Sequence, residues 1–153
     1  MMPPSTIAQL VAQHELFRGF PEEVIEMVVD RSTIKQLQAG EILIYPGTTN
    51  HSLFLVLDGE LRVILQKANT QVSIPIHPGE CLGEMSLIEE RPTSATAVCH
   101  STSQVLVITE DVFWSHLAIS RQGVKNLMRI MSERLHRNNQ ALIKEMEEQL
   151  KYK

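Results

Sequence analysis

Residues 82–94, Leu-Gly-Glu-Met-Ser-Leu-Ile-Glu-Glu-Arg-Pro-Thr-Ser, interrupt a series of short β-type segments with a Gly-Glu pair, about one helical turn and a polar return. A helix that starts at Gly83-Glu84 presents backbone N–H groups without intrahelical partners, and these favour an anion such as a phosphate. Any strand-to-helix crossing offers the same groups, so this feature alone names no ligand. Elsewhere the reactive side chains are dispersed. Six His, at positions 14, 51, 77, 100, 116 and 136, include no pair at short metal-ligand spacing. His77, just before Pro78-Gly79, reads as an ordinary strand-end residue rather than a haem ligand. Cys81 and Cys99 stand 18 residues apart without a second pair, which supports neither a disulfide framework nor a four-thiolate metal site. No nucleophile and base stand together in a supporting motif, so an enzyme is not expected.

The elements that must position Gly83-Glu84 follow from periodicity and punctuation. Ser5 or Thr6 is placed to cap a first helix with Ile7, Leu10 and Val11 on one face, ending near Arg18-Gly19. Pro21 opens a second, as N1, with Glu22 and Glu23 in its first turn and Val24, Ile25, Val28 and Val29 at helical spacing. From residue 33 to 109, short β-branched and apolar runs alternate with Ala39-Gly40, Pro46-Gly47, Asp58-Gly59, Ala68-Asn69 and Pro78-Gly79. This predicts an antiparallel β region, with a hairpin at Asp58-Gly59 joining Leu53–Leu57 to Leu61–Leu65. A short helix carrying Val112, Phe113 and Trp114 follows Thr109, and a long one runs from about Arg121 past Leu150.

The length of 153 residues suits one domain spanning 1–153, divided into N-terminal helices 1–32, the β region 33–109 and C-terminal helices 110–153. With 43% apolar and 21% charged residues the chain is globular in composition. Its longest apolar runs, such as Leu53–Leu57, cover five residues against the roughly 20 that span a bilayer, so no membrane partner is expected. The Met-Met-Pro-Pro-Ser-Thr start lacks the basic flank and apolar run of an export signal, which predicts a cytoplasmic location. The net charge is −4, yet residues 121–153 hold eight Lys or Arg against four Glu. Those basic residues are interleaved with Glu and lack aromatic neighbours, which fits a solvated helix face better than a nucleic-acid surface.

Four stretches in order resemble the cyclic nucleotide-binding domain family, which includes the catabolite activator protein and regulatory subunits of cyclic-AMP-dependent kinase. They are Leu16-Phe17-Arg18-Gly19-Phe20-Pro21, then Ala39-Gly40-Glu41 through Pro46-Gly47, then Ser52 through Asp58-Gly59-Glu60-Leu61-Arg62-Val63, and finally Pro78-Gly79-Glu80-Cys81-Leu82-Gly83-Glu84-Met85-Ser86 with Arg91-Pro92-Thr93-Ser94-Ala95. The resemblance covers about residues 14–138. It implies an α+β, mainly β fold: an eight-stranded antiparallel β-roll of jelly-roll type with N-terminal helices and a long C-terminal helix. The last stretch resembles the family's phosphate-binding cassette, residues 82–95, and implies a cyclic AMP or cyclic GMP ligand without a further cofactor.

Carried over position by position, Glu84 matches the carboxylate that accepts the ribose 2′-hydroxyl, a role suited to an ionised acceptor. The alternative for Glu84 is a helix N-terminal carboxylate that only satisfies the dipole. Gly83 allows the chain to approach the sugar. The N–H groups of Met85 and Ser86 are expected to face the phosphate, with Ser94 or Ala95 closing the other side. Thr93 stands where the family has the arginine that pairs with the phosphate, so a charge-assisted bond worth roughly 1.5–3 kcal/mol is missing. Arg91, two residues earlier, either substitutes for it or is an exposed loop charge beside Glu89 and Glu90.

Residues 127–135 resemble the family's C-terminal helix, which closes over the base and pairs two subunits. Met128, Met131, Leu135, Asn138 and Leu142 recur at 3, 4, 3, 4 spacing, a coiled-coil seam that predicts a homodimer. Asn138 and Asn139 fall where relatives contact the purine, and Asn138 serves equally as a polar seam residue. A helix-turn-helix reader would follow this helix, whereas the 18 residues after Leu135 continue it, so direct DNA binding is not expected. Two functions follow: a cyclic nucleotide-controlled regulatory module that signals to a protein partner, or a dimeric scaffold that keeps the fold and binds another anion or nothing.

Overall fold

The computed structural model describes residues 3–93 and 95–151. Helix α1 (Pro4–Ala12) starts behind Pro3 with Pro at its first turn and has no side-chain cap, so the expected Ser5 or Thr6 cap is not used. It also ends six residues before the expected Arg18, because His14 adopts an extended backbone. Its ring accepts the Leu16 N–H at 3.0 Å and starts a separate 3₁₀ turn, Glu15–Phe17. Helix α2 (Glu22–Asp30) starts one residue later than expected, with Pro21 as its N-cap rather than its first helical residue, and buries Ile25 and Val28.

Eight antiparallel strands follow among the described residues: β1 (Thr33–Leu37), β2 (Ile42–Ile44), β3 (Ser52–Asp58), β4 (Leu61–Lys67), β5 (Thr70–Ile76), β6 (Cys81–Leu82), β7 (Thr96–Cys99) and β8 (Ser103–Thr109). They form two four-stranded sheets, ordered β1-β8-β3-β6 and β2-β7-β4-β5. The expected Asp58-Gly59 hairpin is therefore corrected, since β3 and β4 lie in different sheets and the turn carries the chain from one to the other. Gly59 holds φ +89°, and a Cβ there would stand 2.6 Å from the Thr102 carbonyl oxygen and against Ser103. The Ser103 hydroxyl then accepts the Glu60 N–H at 3.1 Å and fixes the corner. A true two-residue hairpin lies at Ala68-Asn69, where Lys67 faces Thr70 and Ala68 takes φ +54°.

The unbroken apolar run of β3 reflects burial on both of its faces. Leu53, Leu55 and Leu57 point to a core shared with Val11, Phe17, Val28, Ile108 and Phe113, beneath the helices. Phe54 and Val56 point the other way, into the roll, with Leu37, Leu61, Leu82 and Val105. Helix α3 (Glu84–Glu89) interrupts the strands between β6 and β7. After β8 come the single turn α4 (Glu110–Val112), a π-turn at Phe113–Leu117 and helix α5 (Arg121–Lys151). Helix α5 has 31 residues and is about 46 Å long. Its first third is anchored by buried Asn126, whose amide donates to the Leu16 and Arg18 carbonyls at 3.0 and 2.8 Å. From Leu135 to Lys151 every residue is exposed. Among the described residues, no helix is long and apolar enough to cross a membrane.

Candidate functional site

Strand β6 is held on β3 by the pairs Leu55–Cys81 and Phe54–Leu82, and the chain then turns sharply into α3. Gly83 makes that turn at φ +96°, and a Cβ would stand 2.6 Å from both Asn50 Nδ2 and the Ser52 carbonyl oxygen. Only glycine fits there. Asn50 braces the turn by donating to the Gly83 carbonyl at 3.3 Å while accepting the Ser52 N–H at 3.2 Å. This places Glu84, the first residue of α3, inside the molecule at 1% exposure.

Glu84 lines a cavity of about 200 Å³ between α3, the inner face of the β2-β7-β4-β5 sheet and α5. Ile44, Val63, Ile76, Leu82 and Ala97 form its apolar wall, and Gly83, Met85, Ser86, Thr93 and Ala95 border it from the cassette side. Met85 is half exposed at 49%, and Ser86 is buried. The segment after α3 is held to the β2–β3 loop, where the Thr93 N–H donates to the Thr48 carbonyl at 3.0 Å and the Gly47 N–H to the Thr93 carbonyl at 2.8 Å. Thr93 Oγ1 accepts the Ala95 N–H at 3.1 Å, so that N–H is turned back onto its own loop rather than left free for an anion. Ser94 lies outside the described residues.

The structure does not bring Arg91, Asn138 and Asn139 to the cavity. Arg91 pairs with Glu89 at 2.9 Å with 72% of its side chain exposed, because its loop directs it to solvent. Asn138 and Asn139 are exposed on the part of α5 that extends past the roll. Met131 also departs from the expected seam, since it packs against the core beneath the helices, whereas Met128, Leu135 and Leu142 are exposed.

The sequence reading missed Arg134. From α5 its guanidinium enters the cavity, pairs through Nη1 with Glu84 Oε1 and donates through Nη2 to the Cys81 carbonyl. Its helical phase was a usable signal, because positions 127, 130 and 134 share one face and Leu127 and Ile130 are buried. Glu84 Oε2 is buried and has no hydrogen-bond partner among the described residues, an arrangement that costs free energy unless a donor arrives. Arg134 acts beyond Glu84 as well. Burial, and secondarily the Arg134 charge, lower the His14 pKa to about 4, while burial pushes the Cys81 thiol up. No group of three or more His, Cys, Asp or Glu is placed to hold a metal among the described residues.

A site of this form accepts a hydroxyl donor at Glu84 Oε2, an apolar ring against its wall and an anion near Arg134. Residues 34–120 match the family model described as cyclic nucleotide-binding domain. Among curated relatives, the cyclic AMP receptor protein of Thermus thermophilus is 27% identical over 125 residues, covering 78% of this chain and 56% of that protein. The cAMP-dependent protein kinase regulatory subunit of Blastocladiella emersonii is 25% identical over 138 residues, covering 89% of this chain and 32% of that one. The chain thus spans little more than half the length of the first relative and about a third of the second. Among solved structures, the Thermus thermophilus catabolite activator protein has the same fold, with a TM-score of 0.75, 24% identity and coverage of 84% of this chain and 61% of that one. The matched family, the eight-stranded roll and a Gly83-Glu84 turn that seals a buried carboxylate into its cavity agree, and the chain belongs to the cyclic nucleotide-binding domain family.

Proposed function

We propose that this chain is a non-enzymatic regulatory module that binds a cyclic nucleotide, cyclic AMP in the first instance, and passes its occupancy to a protein partner through α5. The observation that carries this reading is Glu84 Oε2, a buried carboxylate oxygen without a partner in a cavity with an apolar wall. A ribose 2′-hydroxyl supplies the missing donor, and the wall suits a purine. Residues 1–153 act as one unit in this reading, at work in the cytoplasm and without contacting DNA directly. The exposed Met128, Leu135 and Leu142 are the contact between two copies, since one roll leaves them uncovered. Asn138 then serves as a polar seam residue that fixes the register of the pair.

Thr93 and the internal Glu84–Arg134 pair favour a second reading, a dimeric scaffold that binds another anion or no ligand. Calorimetric titration with cyclic AMP and cyclic GMP separates the two. The regulatory reading predicts saturable binding that Glu84→Ala removes. No binding of either nucleotide at millimolar concentration, roughly −4 kcal/mol, establishes the scaffold instead.

A further inference from the structure

A cyclic phosphate taken out of water needs a cation or several strong donors, and among the described residues the cassette of this chain brings no cation to the cavity. Arg91 faces solvent on Glu89, Thr93 brings no charge, and the Ala95 N–H is already taken by Thr93. Among the described residues, the one cationic side chain that lines the cavity is Arg134. Its side chain is 30% exposed, and its guanidinium retains N–H donors beyond those given to Glu84 and the Cys81 carbonyl. With Arg134 in place the cavity measures about 200 Å³, below the roughly 300 Å³ at which small-molecule pockets begin, so an entering ligand displaces the side chain.

We propose that Arg134 replaces the absent cassette arginine as the phosphate-binding residue. On ligand entry its guanidinium moves from Glu84 Oε1 to the cyclic phosphate, and the ribose hydroxyl takes up the carboxylate. This rests on the cyclic-nucleotide reading above and deepens it. Because Arg134 belongs to α5, the contact that anchors the phosphate also fixes the helix, and ligand affinity cannot be separated from helix position. A cassette arginine has no such consequence, since it rides on the roll.

The test is calorimetric affinity for cyclic AMP and for adenosine, measured on wild type, Arg134→Gln, Arg134→Lys, Thr93→Arg and the double variant Thr93→Arg/Arg134→Gln. Arg134→Gln should weaken cyclic AMP binding about tenfold or more, and the double variant should recover to within about threefold of Thr93→Arg alone. Arg134→Lys keeps a charge against Glu84, which preserves the fold. It should weaken cyclic AMP about three- to tenfold while leaving adenosine unchanged. Cyclic AMP binding that is equal or tighter in Arg134→Gln, or an equal loss of both ligands in Arg134→Lys, overturns the assignment and leaves the cyclic-nucleotide reading standing. Absence of binding in wild type and in Thr93→Arg alike removes that reading, and the assignment with it.

Discussion

Acidification should loosen the N-terminal segment from the roll through one side chain. His14 is 5% exposed, and its Nδ1 accepts the Leu16 N–H at 3.0 Å, which leaves the proton of the neutral ring on Nε2. Burial, reinforced by the Arg134 charge, lowers its pKa from 6.5 to about 4. In the unfolded chain the ring takes up a proton as the pH falls through 6.5, while in the folded protein it does not until about pH 4. Stability from this group is therefore complete above pH 6.5 and is lost as the pH falls from there towards 4. Between pH 7 and pH 5 the loss comes to about 2 kcal/mol. Urea unfolding of wild type and His14→Asn at those two pH values measures it, because the Asn side-chain oxygen keeps the acceptor for the Leu16 N–H without titrating. Wild type should lose about 2 kcal/mol more than the variant on acidification. Parallel losses would refute the argument that this buried ring is held neutral.

Gly83→Ala should destabilise the protein by about 2 kcal/mol or more in chemical denaturation and remove ligand binding, since φ +96° is strained for alanine and its Cβ would press on Asn50 and the Ser52 carbonyl. A variant as stable as wild type would show that the turn adapts. Leu135→Asp with Leu142→Asp, at positions 60% and 56% exposed, should convert a sedimenting dimer to monomer at concentrations on the order of tens of micromolar. An unchanged sedimentation coefficient would place the dimer contact elsewhere.

The limits of the β region were legible because Gly and Pro pairs punctuate it and β-branched runs fill the intervals, and β1 begins at Thr33 and β8 ends at Thr109 as that pattern implies. Pairing was less legible. Asp-Gly between two apolar runs is a hairpin signal, yet β3 is apolar at five consecutive positions, Leu53–Leu57, and a strand buried on both faces needs neighbours from elsewhere in the chain. Local turn chemistry cannot supply those neighbours, which are β6 and β8. In the candidate site, Gly83 and Glu84 were readable from the cassette motif alone. Arg134 was legible only in part, since its phase with Leu127 and Ile130 turns it inward but its partner lies 50 positions away in sequence. Arg91 shows the converse, because alternation along an extended segment placed it plausibly and the loop turned it to Glu89.

Glu84 as the acceptor of a ribose hydroxyl is the central contact, and one comparison addresses it alone. Affinities for cyclic AMP and 2′-deoxy cyclic AMP are measured by calorimetry on wild type and on Glu84→Gln. Wild type should bind the ribose form more tightly by roughly 1.5–3 kcal/mol, about one to two decades, because the hydroxyl donates to a buried carboxylate. In Glu84→Gln the difference should shrink to about threefold or less. Equal affinity for the two nucleotides in wild type, or full discrimination surviving in Glu84→Gln, would contradict the account.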